Sequence, residues 1–273
     1  MKHIKRITVS IFIVLFIVAA GFYVWAQDLY VVPILMYHSI SLADTKPLMV
    51  MGYPRQLKLR LNNVSPQSFD TQMGYLKNNG YRVIPLSEYI EGRQAGRKFS
   101  HKTVVITFDD GYADNYTNAF PVLKKYRFPA TIFLISDYLS RGPMFLSSDQ
   151  VKEMSRQGIS FGSHTRRHAY LPSLSQAQLI DEIVESKHDL EKNLGQPIDY
   201  IAYPCGGFSD QVKTIAAQAG YKAAVATNRG MNRFNLDLYE LRRIHINSGD
   251  SEWTLNGKLS GYYNLFRELK PSH

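Results

Sequence analysis

Apolar residues fall along this chain in two alternating rhythms. One is a set of short, often β-branched runs that read as buried strands. They are Val32–Tyr37, Tyr81–Pro85, Thr103–Phe108, Ala130–Ile135, Ile159–Ser163, Tyr200–Tyr203, Ala223–Ala226 and Leu241–Ile246. The other rhythm has apolar residues every third or fourth position. Ser65 as N-cap and Pro66 at the first helical position open such a segment; Phe69, Met73 and Leu76 share its face, and Gly80 ends it. Further helices are predicted over about 119–126, Ser147–Gln157, Ser175–Leu194 and about Ser209–Ala219. Residues 41–63 follow neither rhythm and carry Pro47, Gly52 and Pro54, which reads as a loop. Strand and helix in alternation predict an α/β fold with a mostly parallel sheet, closed or nearly closed into a barrel. No repeat, low-complexity tract or linker divides it, so residues 28–273 are expected to form one domain.

Residues 1–27 follow a different pattern. Ile7–Ala26 is a run of 20 uncharged residues preceded by Lys2, Lys5 and Arg6. This suits either a cleaved signal peptide, with Val24-Trp25-Ala26 at a cleavage position, or a membrane anchor with Tyr23 and Trp25 at the interface. The length of the run tips the reading toward the anchor. Either reading places the rest of the chain outside the cytoplasm.

Composition narrows the picture further. A chain of 273 residues with 45% hydrophobic and 20% charged residues has the make-up of a globular protein, not of a disordered or coiled-coil one. The single cysteine, Cys205, excludes an intramolecular disulfide and a cysteine-based zinc finger. The net charge of +9 suits an anionic surface, but no Lys/Arg block or nucleic-acid motif accompanies it, so no nucleic-acid partner is expected.

Candidate chemistry gathers at the ends of the predicted strands, where barrels of this class carry their active sites. Asp109-Asp110-Gly111 ends one strand. His164 ends another and is followed by His168; Tyr203-Pro204-Cys205-Gly206 ends a third; His245 lies in the last. On a helical turn the four-residue spacing would put His164 and His168 on one face, within reach of one ion; they also read as two solvated histidines. Adjacent carboxylates repel unless a cation or different roles separate them, although Asp-Asp-Gly is also good turn chemistry. Two His and one Asp with open positions fit a catalytic metal site, with zinc the default and iron or cobalt acceptable.

Thr107-Phe108-Asp109-Asp110-Gly111 and His164-Thr165-Arg166-Arg167-His168, in this order and at this separation, resemble the first two motifs of the polysaccharide deacetylases, the family 4 carbohydrate esterases. The resemblance spans roughly residues 31–250. Leu35–Ile40 and Val64–Phe69 further resemble the branch that deacetylates biofilm poly-N-acetylglucosamine. It implies a single distorted (β/α) barrel and metal-dependent hydrolysis of N-acetyl groups on a cell-wall or extracellular polysaccharide. Asp109 would then be the catalytic base, and Asp110, His164 and His168 the metal ligands. The backbone N–H of Cys205 would hold the oxyanion, and His245 would be the acid. His245 reads equally well as a strand histidine packed beside the barrel. His38 closes the first strand and is either a pocket residue or a structural one. Where the family places an arginine this chain has Ala202, and an aromatic position holds Cys205. No Asp-Trp pair is found near Thr227-Asn228. Arg243 or Arg242 is the candidate replacement for the base-orienting arginine. A hydrolase of another acyl amide or ester, or a glycan-binding relative without turnover, also fits; a monomer is expected.

Overall fold

The computed structural model describes residues 31–42, 63–227 and 237–261, with Ile13, Val14, Phe16–Val18 and Gly21. Most of the apolar run expected as signal or anchor therefore lies outside the described residues, as do most of the 41–63 loop and Asn228. No helix among the described residues is long and apolar enough to cross a membrane.

Among the described residues nine strands form the sheet: β1 (Ile34–Tyr37), β2 (Arg82–Val83), β3 (Thr103–Phe108), β4 (Ala130–Leu134), β5 (Ile159–Ser163), β6 (Tyr200–Ala202), β7 (Ala223–Ala226), β8 (Leu241–Arg242) and β9 (Ile244–His245). Their order is β8-β7-β6-β5-β4-β3-β1-β9, with β2 beside β3, and the pairs are parallel. The two ends of this order, β8 and β9, are consecutive in sequence and flank one residue, Arg243. Leu241 and Arg242 pair with Val225 and Ala226 on one side; Ile244 and His245 pair with Leu35 and Met36 on the other. The strand predicted over 241–246 thus breaks at Arg243, and the break bends it from one neighbour to the other, so the sheet curls into a nearly closed barrel.

Period-two alternation sorts the side chains into two cores. Leu35, Tyr37, Ile106, Phe108, Ile132, Leu134, Phe161 and Ile201 face outward into the helix layer. There they meet α1 (Pro66–Asn78) through Phe69, Met73 and Leu76, and α3 (Ser148–Arg156) through Val151 and Met154. Ile34, Val105, Phe133, Ala202, Val225 and Leu241 face inward. With them pack Tyr89 and Ile90 of α2 (Leu86–Gln94), a helix the sequence pattern did not predict. Its apolar residues are few, so it lacks a clear helical stripe. The closing helix Glu252–Leu259 went unpredicted for the same reason.

The same alternation aims the chemistry. Val105 points inward, so Thr107 and Asp109 do too; Leu241 points inward, so Arg243 follows. In β5 the inward position beside Phe133 is Gly162. A Cβ there would stand 2.6 Å from the Phe133 ring and 2.8 Å from the Tyr200 carbonyl oxygen. The missing side chain is what lets Phe133 fill the barrel, and the Arg243 guanidinium lies over that ring, 5.5 Å from its centre.

Candidate active site

Each candidate sits at the C-terminal end of a strand. Asp110 and Gly111 both adopt left-handed backbone, with φ of 72° and 67°, which turns the chain sharply off β3. Asp109 therefore continues inward on the strand register while Asp110 swings over the rim. Its Oδ1 lies 3.5 Å from His164 Nε2 and 3.5 Å from His168 Nε2. One donor atom from each of the three residues lies within 4.8 Å of the others.

The helical turn expected for His164–His168 is not formed. The segment is a loop in which Thr165 and His168 have φ of 64° and 63°. Spacing alone does not bring the two rings together; the loop does. Thr165 N–H donates to Ser163 Oγ at 3.1 Å and His168 N–H to Thr165 Oγ1 at 3.1 Å. The two rings end 4.8 Å apart, nearly perpendicular.

His164 is 1% exposed, and its Nδ1 is 2.8 Å from the Ala202 carbonyl oxygen. A carbonyl only accepts, so Nδ1 carries the hydrogen and Nε2 presents its lone pair toward Asp110. Burial lowers the His164 pKa to about 4, against the opposing pull of Asp109 and Asp110, so the ring is neutral at neutral pH. Those features suit a metal ligand. The spacing also fits: donors about 2.1 Å from a tetrahedral centre lie about 3.4 Å from each other. These three side chains can hold a metal ion.

Asp109 is held differently. Arg243 grips it in a fork, Nη1 to Oδ1 and Nη2 to Oδ2, both at 2.6 Å. The same guanidinium donates to Thr107 Oγ1 at 3.2 Å and to the Ala226 carbonyl at 3.3 Å. Burial alone would raise the Asp109 pKa, but the Arg243 charge, with smaller help from His164 and His38, holds it well below the usual carboxylate range. Arg242, the other candidate for the missing arginine, is the β8 residue facing away from this pair. Asp109 Oδ2 is 4.0 Å from His164 Nε2, so the two carboxylates flank the same imidazole.

His38 and His245 occupy the far side of Asp109. Their rings meet edge to face at 5.6 Å, and His38 Nδ1 and His245 Nε2 are buried without a hydrogen-bond partner. Burial, then the neighbouring His38 and Lys258, lower the His245 pKa to about 4. Cys205 is exposed in a left-handed turn, φ 54°, just beyond β6. β6 is also the strand whose Ala202 carbonyl orients His164.

Several contributors carried no motif signal. Phe133 and Gly162 support Arg243 from inside the barrel. Asp250 and Lys258 join at 2.5 Å, and Lys258 Nζ also donates to the His245 carbonyl at 2.8 Å. Asp181 and Glu182 engage Arg166 and Arg167. Only the last pair had a usable clue: two arginines between two candidate ligands call for carboxylate partners.

Residues 96–224 match the family model described as Polysaccharide deacetylase. YxkH of Bacillus subtilis is 36% identical over 219 residues, covering 80% of this chain and 72% of that protein. The poly-beta-1,6-N-acetyl-D-glucosamine N-deacetylase of Staphylococcus aureus is 28% identical over 225 residues, 78% of this chain and 77% of that one. Among solved structures, the Streptococcus pyogenes deacetylase PplD in complex with acetate superposes with a TM-score of 0.71 at 34% identity, covering 89% of this chain and all of that one. The fold and the site thus define a hydrolase of the carbon–nitrogen bond in N-acetyl groups. The chain belongs to the polysaccharide deacetylase family.

Proposed function

We propose that this protein removes acetyl groups from N-acetylated amino sugars of a polysaccharide outside the cytoplasm, using a divalent metal ion, zinc, held by Asp110, His164 and His168. One observation carries the proposal. A three-donor cluster stands beside a second carboxylate, Asp109, that is anchored elsewhere by Arg243 and so is left out of the cluster. The ion, when bound, supplies Lewis acidity toward the amide carbonyl and makes water a stronger acid.

The chain's own residues supply the rest. Asp109 takes the proton of the attacking water at Oδ2, the oxygen facing His164. Arg243 makes it a weaker base but keeps it ionised and fixed in direction, so its readiness does not vary with pH near neutrality. Cys205, in its turn at the rim, is the backbone donor to the acetyl oxygen as negative charge builds there. His245 is neutral before substrate arrives; it serves as the acid for the leaving amine only after taking up a proton from solvent, in the pocket it shares with His38. The named activity of the Staphylococcus aureus relative favours poly-N-acetylglucosamine over peptidoglycan glycan strands or chitin-like oligomers. The apolar segment at 7–26 supports delivery across or attachment to a membrane, with residues 28–273 as the catalytic domain, active as a monomer.

The test is acetate release from these three polymers, before and after chelation, with zinc, cobalt or iron restored. Acetate from poly-N-acetylglucosamine that disappears with the metal is expected. No acetate from any polymer, or release undiminished by chelation, would overturn the reading.

A further inference from the structure

The two histidines of the loop are separated by Arg166 and Arg167, and the loop's shape depends on what holds those two residues. From one side, Ser136 N–H donates to the Thr165 carbonyl at 3.1 Å and Asp137 N–H to the Arg166 carbonyl at 3.0 Å. From the other comes one residue, Glu182, whose backbone carbonyl accepts the Arg166 N–H at 3.1 Å and whose carboxylate does most of the holding. Glu182 is 2% exposed, and its Oε2 accepts the backbone N–H of Arg166 at 3.0 Å and of Arg167 at 2.9 Å. Its Oε1 forms an ion pair with Arg167, 3.0 Å from Nε. A buried carboxylate with two backbone donors and one guanidinium is fully engaged, and all of that engagement is with this loop.

Helix geometry explains how it gets there. The helical stretch running from Gln176 to Leu194 is interrupted by one π turn, Asp181–Glu185. A π turn rotates less per residue than an α turn, so consecutive side chains diverge less. Asp181 and Glu182 accordingly both face the loop: Asp181 pairs with Arg166 and Arg167, and Glu182 with the backbone beneath them. Wide turns of this kind recur where a helix serves a site.

We propose that Glu182 is a positioning residue for the metal-holding loop: by fixing the backbone between His164 and His168 it sets the distance and direction of their two Nε2 atoms toward Asp110. The inference rests on Asp110, His164 and His168 holding the ion. Glu182 touches neither metal nor substrate.

The experiment measures zinc affinity of the full chain by competition with a chromophoric chelator, and the visible spectrum of the cobalt-loaded protein, for wild type, Glu182→Gln, Glu182→Ala and His168→Ala. Thermal unfolding of each metal-free protein is recorded alongside. Removing such a supporting group is expected to weaken zinc binding about 10–100-fold in Glu182→Ala and about tenfold in Glu182→Gln, with an altered cobalt spectrum in both. Gln keeps the volume but must set an NH₂ against either the loop N–H groups or Arg167, so it decides the matter if Ala does not fold. A metal-free melting temperature like wild type in Glu182→Gln, together with weakened zinc, separates positioning from mere support of the fold. Zinc affinity within twofold of wild type in the folded Glu182 variants, while His168→Ala binds weakly, would overturn this inference alone. A wild-type protein that binds no zinc would overturn it together with the functional reading.

Discussion

Replacing Arg243 by Met tests the centre of the site. The variant keeps a flexible side chain of similar length but removes the guanidinium, and Asp109, 1% exposed, stays buried without its two 2.6 Å hydrogen bonds. The carboxylate then has two courses. If it stays ionised, the broken buried pair costs about 3–5 kcal/mol. If it takes a proton at pH 7, it does so a little over three pH units above its ordinary value of 3.8. At about 1.4 kcal/mol per unit that costs about 4 kcal/mol. The two courses cost nearly the same, so a loss of about 3–4 kcal/mol is expected at pH 7 either way. At pH 4 protonation is nearly free, and the loss should shrink. The sign follows from linkage. In wild type the depressed Asp109 contributes stability above its ordinary pKa that fades as pH falls toward the low folded value. In the variant, burial is left unopposed, the folded value rises, and stability falls as pH climbs through 3.8 and beyond. Urea unfolding of the metal-free proteins at pH 4 and pH 7 reads the difference. If Asp109 is the base, acetate release against pH should show the acid limb displaced upward, because Asp109 is now protonated near neutrality. An equal stability loss at both pH values, with an unmoved activity profile, would refute the idea that Arg243 acts by holding Asp109 ionised.

Three other outcomes are expected. Asp109→Asn should abolish acetate release while zinc still binds, as titration would show; turnover at the wild-type rate would remove Asp109 from the base role. His164→Ala and His168→Ala should each lower zinc affinity and activity together, and metal content unchanged in both would take them out of the ligand set. The metal-free protein should lose stability as pH falls from 6.5 to about 4, because the unfolded chain protonates His164 in that window and the native state does not. His164 alone accounts for about 3 kcal/mol, with His245 acting in the same direction. Denaturation midpoints flat across that range would contradict the burial argument.

Much of the barrel was legible because strand periodicity is a local property. Thr103–Phe108, Ile159–Ser163 and Ala223–Ala226 form over the residues their apolar runs predicted, since buried parallel strands are apolar on both faces. Helix Leu86–Gln94 was not legible, because it buries Leu86, Tyr89, Ile90 and Gly92 against the open end of a barrel and needs no long stripe to do so. The four-residue spacing of His164 and His168 suits one face of a helical turn, yet the segment is a loop, for a physical reason. Left-handed Thr165, held by Ser163, and left-handed His168, held by Thr165 Oγ1, are preferred once the strand is in place and Glu182 of the π turn holds Arg166 and Arg167 between them.

Short-range pattern along the chain already carried the alternation of strands and helices and the paired motifs at Asp109–Asp110 and His164–His168. Which arginine meets Asp109 was settled only by the folded chain. Arg243 lies 134 residues from Asp109 along the chain, and it reaches that carboxylate because a one-residue break bends the last strand across the barrel's seam. Folding likewise placed Glu182 beneath the histidine loop and Phe133 beneath the guanidinium. Motifs record short-range order, whereas a charge buried among partners from distant strands finds its place only when the sheet closes around it.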